Sequence, residues 1–506
     1  MSVAGSSQHS HSRGAVDSPP YRFLLFAVLA AFVVRILVVA FTYSGFLDPQ
    51  RGHWLFAFEE GKVAQSILMG HGFGNPLYGP HTGPTAWLPP VMPYLLAGIF
   101  ALFGMFTKAA ALATLGLESL LSALTCIPIF FMARKSFGMR TAQWAVWVWA
   151  FFPYAIYFSA GLIWNTALST FLLTCILWMA LCLQDSPRVR TWVGFGLLCG
   201  IATLTDPVVL SVVPLLGAWA CYRLYKKGRR WLRPATASAT VLCAVMAPWL
   251  IRNYIVFGKF VFLKDNFGSE LCVGNVGNAL HWWNGDVHPS GSARELGEFD
   301  RLGEMAYMAA KWAQARNYIE SHPGIFLWRS VRRAIFIWTG YWSFNKKYLE
   351  QEPLDPANIP LCLGTTILAL IGLRKMLARD AGKIVPYAIL LLFYPLAYYI
   401  TEPDLQYRHP LDPELVILVC CAIVSWRAAS RETVEEQPAP ERAVAARSAR
   451  QNSFCHRFLG ALVFSSKPPG FVAPGRMESG SHAPPTGQFG RQRVAPHPAG
   501  LAGSIG

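Results

Sequence analysis

The chain has 506 residues, 53% of them hydrophobic and only 14% charged, with a formal charge of +16. Soluble domains carry roughly a quarter charged residues, and here the apolar residues fall in blocks of about 20, enough to cross ~30 Å of hydrocarbon. That composition excludes a soluble globular protein. The basic residues sit mostly in short loops between blocks and in the tail, which assigns the positive charge to membrane topology and not to nucleic acid.

Residues 1–20 are rich in Ser and His and are expected to be disordered. The first apolar block, 22–42, lacks a small-residue cleavage site and is followed by further blocks, so it reads as a retained helix and not as a removed signal peptide. A polar loop covers 43–89. The stretch 90–106 is apolar but short and starts with prolines. If it crossed the membrane, Arg134, Lys135 and Arg140, which follow the next block (109–133), would face outward. If it does not, every later basic loop falls inside, so 90–106 reads as a re-entrant or interfacial helix.

Further spans are predicted at 141–158, 163–184, 191–205, 207–223, 235–251, 357–376, 384–401 and 410–426. The loops assigned to the inside hold Arg188 and Arg190; Lys226, Lys227, Arg229 and Arg230; Arg374, Lys375 and Arg379; and Arg427. The expectation is an all-α polytopic membrane protein of about ten transmembrane helices with both termini in the cytosol. Its core is 21–428, followed by a Pro/Gly/Arg/Ser-rich disordered tail, 429–506, that is expected to be dispensable. The longest external segment, 252–356, reads as polar and Gly/Asn-rich, then helical from about 294 to 321. Its last part, 324–344, is aromatic with Arg329, Arg332 and Arg333 at helical spacing, which suits a helix lying on the membrane surface. Nine of the eleven cysteines fall in or at the ends of spans; Cys272 falls in an external loop, so no disulfide is implied there.

Chemistry is sought in the external loops. In the first, Glu59 and Glu60 precede Val63, Ile67 and Leu68, the pattern of a short amphipathic helix against the bilayer. A carboxylate there is placed to take a proton from an acceptor hydroxyl. A solvated acidic pair explains the same residues, and from these two alone that reading has the better odds. Residues 264–275 are dense in small and polar residues just outside a span. Asn266, Glu270 and Asn275, with His288 further on, are candidates for hydrogen bonds to a sugar, although an ordinary turn-rich loop has the same composition.

The surroundings of the acidic pair carry a more specific signal. Glu59-Glu60-Gly61 leads into Ile67-Leu68-Met69-Gly70, then Pro89-Pro90, then Leu102-Phe103-Gly104, and the next helix ends Ala133-Arg134-Lys135-Ser136-Phe137-Gly138. This order resembles the type-C-fold membrane glycosyltransferases, in particular the broad family of protein O-mannosyltransferases and aminoarabinose transferases. The likeness runs over roughly 20–425 in order and hydropathy, with its motifs mostly in the first 140 residues. It implies a donor sugar on a polyprenyl phosphate, presented on the extracytoplasmic face of the cell membrane. It also implies a single displacement with inversion, with Glu59 as general base and Glu60 as the fallback, since the family often has Asp-Glu here.

A leaving phosphate needs cations, and guanidinium holds two oxygens at once. Arg408, in Gln-Tyr-Arg-His-Pro, stands where the family commonly has Arg-Tyr or Tyr-Arg before Pro, with Tyr407 and His409 beside it. Arg252 ends Pro-Trp-Leu-Ile-Arg. A snorkelling arginine is the plain alternative for both. Glu118 lies within a span, where charge is expensive; helix glue and function explain it equally. Asp206 before Pro207 reads as an N-cap, and Asn165 sits where relatives carry a carboxylate. The external histidines (His53, His71, His81, His281, His288, His409) are scattered, so no metal site is assigned, although the fold is compatible with a divalent ion.

The expected partners are a polyprenyl-phosphate sugar donor, a protein, lipid or glycan acceptor, and membrane lipids. The rival functions are a carrier or flippase for lipid-linked glycans, a polymerase or ligase of such glycans, and a non-catalytic scaffold. A carrier would show paired half-repeats with broken helices near mid-membrane, whereas the polar content here gathers in two external loops and one junction.

Overall fold

The computed structural model describes residues 21–46, 56–77, 81–277, 283–379 and 381–435. The predicted segment 1–20, most of the tail, and His53 and His281 lie outside them. The described chain divides into two units at Cys421, and the described part of the second, from Ala422, is helical.

The described residues are helical almost throughout. In chain order the helices are α1 (Tyr21–Phe46), α2 (Phe58–Leu68), α3 (Val91–Phe103), α4 (Lys108–Leu124), α5 (Cys126–Phe137), α6 (Met139–Ala150), α7 (Pro153–Ala160), α8 (Thr166–Leu183), α9 (Val189–Thr205), α10 (Val213–Lys226) and α11 (Leu232–Phe257). The long external segment holds α12 (Phe267–Asn275), α13 (Ala293–Leu302), α14 (Glu304–Ser321), α15 (Pro323–Thr339) and α16 (Lys346–Leu349). The chain then runs through α17 (Asp355–Arg379), α18 (Ala381–Phe393), α19 (Leu396–Ile400), α20 (Leu405–Arg408) and α21 (Asp412–Glu435).

Among the described residues, 8 helices are long and apolar enough to cross a membrane: Tyr21–Phe41, Lys108–Phe137, Thr166–Leu183, Pro207–Lys226, Leu232–Phe257, Asp355–Ala378, Gly382–Ile400 and Leu405–Arg427. The chain is a multi-pass membrane protein. Of the remaining predicted spans, 191–205 lies within one apolar helix of 17 residues, α9. The span predicted at 141–158 is two helices, because Pro153 has no N–H to continue α6 and holds Phe152 extended (φ −69°, ψ 123°). The stretch expected to be re-entrant is α3; its 13 residues rise only about 20 Å, short of the hydrocarbon thickness.

Two apolar clusters set the position of α2. Ala57 and Ala64 pack with Met92, Leu96, Phe100 and Leu115 on one side. Phe58 and Val63 pack with Trp87, Trp249, Leu263, Phe299 and Tyr307 on the other. The sequence pattern suggested a helix lying against lipid. Instead α2 is enclosed by protein on two faces, because the loop 81–90 and the α13–α14 pair cover the side that Val63 presents.

Helix α15 buries two of its three arginines. Its apolar face turns outward, with Leu327 65% and Trp328 63% exposed, while Arg329 and Arg333 are buried. Arg329 donates to the carbonyls of Asn275 and Gly277, and Arg333 to those of Gly274, Tyr399 and Ile400. These carbonyls lie at or just beyond the C-terminal ends of α12 and α19, where the helix dipole favours cations. Gly274 allows this junction: a Cβ there would meet the Thr401 carbonyl.

Candidate active site

Glu59 and Glu60 stand in the first turn of α2, where an acidic side chain suits the dipole. The turn into the helix is tightly constrained. Ala57 sits in the left-handed region (φ 52°, ψ 50°), Phe56 forms an isolated bridge with Ile163, and the Gly61 N–H donates to the Ala57 carbonyl at 3.0 Å. A Cβ on Gly61 would come within 2.6 Å of the Phe56 carbonyl oxygen. Both acidic side chains are buried, at 5% and 1% exposure, and both line a cavity of about 180 Å³.

A second part of the wall comes from the segment after α11. Leu263 has φ 64°, a conformation costly for a branched side chain. It is held by Trp249, whose indole N–H donates to the Leu263 carbonyl at 2.7 Å, while the Asp265 N–H reaches the Ala86 carbonyl at 3.0 Å. Between these anchors Lys264 lines the cavity. Asn266 and Glu270 follow on the same wall, with the Asn266 amide donating to Glu270 at 2.6 Å. His288 lines the cavity beside Trp87; its Nδ1 accepts the Ser290 N–H at 3.1 Å, which leaves the ring proton on Nε2.

The third wall brings Asp206 and Asn165 together with Tyr394, Tyr398, Glu402, Gln406 and Tyr407. Asp206 caps the 3₁₀ turn that follows, accepting from the Val208 N–H at 3.1 Å, as its place before Pro207 implied, and takes the Tyr394 hydroxyl at 2.8 Å on its other oxygen. Tyr398 and Tyr407 stack in parallel with centroids 4.4 Å apart. Glu118 accepts the Trp164 N–H at 3.2 Å, and so holds the backbone of another wall residue from within the span.

The electrostatics follow from burying carboxyl groups together. Burial pushes the Glu59 carboxyl up to about 8, and the Glu270 charge adds to the shift. Burial also raises Glu60 well above the carboxylate range, reinforced by Glu59 and opposed by Lys264. Burial raises both Glu270 and Glu402, and the Glu270 charge adds to the rise at Glu402. Lys264 is the one cation lining the cavity among the described residues, and it opposes the rise at Glu60, Asp206, Asp265 and Glu270 alike. One Oε of Glu60 and one of Glu402 are buried with no hydrogen-bond partner, a cost that a ligand donor would relieve.

Four of the residues singled out in the sequence stand elsewhere. Arg408 does not line the cavity: it is 1% exposed and bonds Asp412 and the Thr365 hydroxyl, each at 2.8 Å. His409 is equally buried, bonds the other Asp412 oxygen at 2.9 Å and stacks on Trp149. Arg252 donates to the carbonyls of Thr85 and Phe73, each at 2.7 Å, and lies over Trp249. Asn275 donates to the carbonyls of Leu271 and Ile400. The cavity instead uses Lys264, Glu402 and Tyr398, which sequence reasoning passed over. Lys264 had a signal, as the cation in a polar loop directly after a span. Glu402 and Tyr398 had none, because only tertiary packing brings them beside α2. Among the described residues no group of three His, Cys, Asp or Glu side chains forms a metal-binding set.

Residues 88–251 match the sequence model of the family described as dolichyl-phosphate-mannose-protein mannosyltransferase, a membrane glycosyltransferase family. The match falls on the family that the order of motifs resembles, and it begins just after the acidic pair. No curated protein matches the chain. Solved structures that the chain matches include the Archaeoglobus fulgidus oligosaccharyltransferase in its apo form, 12% identical over 84% of this chain and 51% of that one, with a TM-score of 0.47. AglB from the same organism, in complex with an inhibitory peptide and a dolichol-phosphate, is 14% identical over 81% and 52%, with a TM-score of 0.45. ArnT from Cupriavidus metallidurans, bound to undecaprenyl phosphate, is 14% identical over 82% and 80%, with a TM-score of 0.37. The chain spans about half the length of the archaeal enzymes.

Proposed function

We propose that this protein transfers a sugar from a polyprenyl-phosphate donor to a nucleophile presented on the extracytoplasmic membrane face. The observation that carries the reading is the placement of a paired carboxyl group (Glu59, Glu60) and one ammonium (Lys264) among the residues that line one cavity. The family matched by residues 88–251 is described by such a donor.

The reaction is a single displacement at the anomeric carbon. Glu59 takes the proton of the acceptor hydroxyl as its oxygen bonds to that carbon. The bond between the carbon and the phosphate oxygen breaks, its electron pair stays on the phosphate, and the configuration inverts. Glu59 is the better base of the two because its carboxyl, at about 8, is nearer to ionisation than that of Glu60, which has Glu59 as a like-charged neighbour. Lys264 takes the role that a guanidinium was expected to fill, facing the negative charge that builds on the departing phosphate. Asn266, Glu270, Glu402, Tyr407 and His288 supply hydrogen-bonding groups for sugar hydroxyls, and Trp87 and Trp283 supply apolar faces on the cavity wall.

The test is transfer by the purified chain from a panel of radiolabelled polyprenyl-phosphate sugars in the presence of an acceptor extract. Release of free lipid phosphate that depends on acceptor and is lost in Glu59→Gln supports the reading. Donor binding without release, unchanged in that variant, refutes it in favour of a carrier.

A further inference from the structure

The proposed reaction seats the donor phosphate and leaves its lipid chain without a place. A cavity of about 180 Å³ cannot also hold a polyisoprenoid chain, so the chain has to leave through an opening. Among the described residues that line the cavity, Phe267 is the one that is exposed, at 44%. The opening therefore lies at Phe267, the first residue of α12, which follows Lys264 closely in the chain.

The surface at this opening is aromatic. Phe267 packs on Trp312 of α14 with ring centroids 5.7 Å apart, and Trp312 is itself exposed. In the stretch that leads to Lys264, burial alternates: Val261 and Leu263 are buried, while Phe260 and Phe262 are exposed with their rings 6.3 Å apart. The Asn253 amide donates to the carbonyls of Val261 and Leu263 at 3.4 and 3.3 Å. These bonds fold the stretch back against the C-terminal turns of α11, a membrane-span helix on which Tyr254 and Ile255 are also exposed. Aromatic groups at the end of a span belong to the level of the lipid headgroups, so the opening is continuous with the bilayer.

The stereochemistry of the displacement decides which substrate uses it. The nucleophile approaches the anomeric carbon from the side opposite the phosphate. An opening beside the ammonium belongs to the departing lipid, and the acceptor arrives on the side of Glu59. Resting on the transfer reading, we infer that Phe267 and Trp312 seat the first isoprene units of the donor, with Phe262 next along the path to the bilayer. Their rings select the carrier lipid by apolar contact with its branched chain.

The test uses the full chain in detergent and a polyprenyl phosphate with a photoactivatable diazirine in its first isoprene units. Adducts are located by mass spectrometry after proteolysis. Adducts on the peptides that hold Phe262, Phe267 and Trp312, suppressed by unlabelled polyprenyl phosphate, are the expected result. Affinity for the probe should fall about tenfold in Phe267→Ser and in Trp312→Ser and return in Phe267→Leu, because a chain seat needs apolar surface and not a particular ring. Competed adducts confined to other helices overturn the path and leave the transfer reading standing. So do adducts at these residues that unlabelled polyprenyl phosphate does not suppress, or an affinity equal in wild type and both serine variants. No saturable binding of the probe overturns the path and the transfer reading together. Melting temperatures of the variants are measured alongside; the adduct map of the wild-type chain carries the test if a variant does not fold.

Discussion

Arg408 and Asp412 form an ion pair across one helical turn, 2.8 Å apart and each 1% exposed. The same aspartate also holds His409. The guanidinium that the sequence offered to a lipid phosphate is therefore spent inside the helix bundle. Removing one member of such a pair leaves the other charge buried and uncompensated, which costs about 3–5 kcal/mol. Arg408→Ala should lower the melting temperature of the purified protein markedly, while the donor KM of the protein that remains folded stays at the wild-type value. A raised KM with normal stability would return Arg408 to the site.

Replacing Glu59 by Gln keeps the volume and removes the base. Turnover should fall about 10²- to 10⁴-fold with donor binding retained. Glu60→Gln should cost less. A larger loss from Glu60→Gln would exchange the roles of the two.

The pH profile follows from the direction of the Glu59 shift. Burial raises this carboxyl to about 8, so the base is mostly protonated at pH 6 and ionises as pH rises. Turnover should climb towards a plateau with a midpoint near 8. Because the Glu270 charge contributes to the rise, Glu270→Gln should move the midpoint down. An upward move, or a profile flat between pH 6 and 9, would count against Glu59.

Lys264 lines the cavity with the carboxyl groups and, in the proposed reaction, faces the departing phosphate. Lys264→Met should lower turnover by about two orders of magnitude and weaken donor binding, and Lys264→Arg should restore part of both. Unchanged donor affinity in the methionine variant would remove lysine from the phosphate.

Stability should depend on pH with the opposite sign to activity. Glu59 near 8 and Asp404 near 7 are both raised by burial above their unfolded values, so the folded chain binds more protons than the unfolded one. Their stabilisation is complete below the unfolded values and is lost as pH rises through 7 to 8. The melting temperature in detergent should therefore fall between pH 6 and 8.5; a rise over that window would mean that these groups are ionised in the fold.

Much of the fold was legible because hydropathy over about 20 residues is a strong signal. Where it misled, the cause was local: Pro153 ends a helix within an unbroken apolar run. The site was half legible. Glu59 and Glu60 stood out because acidic residues are scarce beside spans, and Asp206 because a carboxylate before proline has a known use. Arg408 is drawn away from the cavity because Asp412 lies four residues on, the spacing at which two helical side chains meet. Glu402 was unreadable, since its place beside Glu270 depends on Arg333 joining the ends of α12 and α19.

The contact between Gly61 and the Phe56 carbonyl works as an index mark. It fixes the rotational setting of α2 at the point where the helix begins, and each residue of a helix turns by about 100°. Inserting or deleting a single residue between 57 and 60 would swing the acidic pair out of the cavity and into one of the two apolar clusters. In this stretch the chain is constrained in length more strictly than in composition: an acid can be exchanged for its amide without moving anything, but the count of residues before it cannot change.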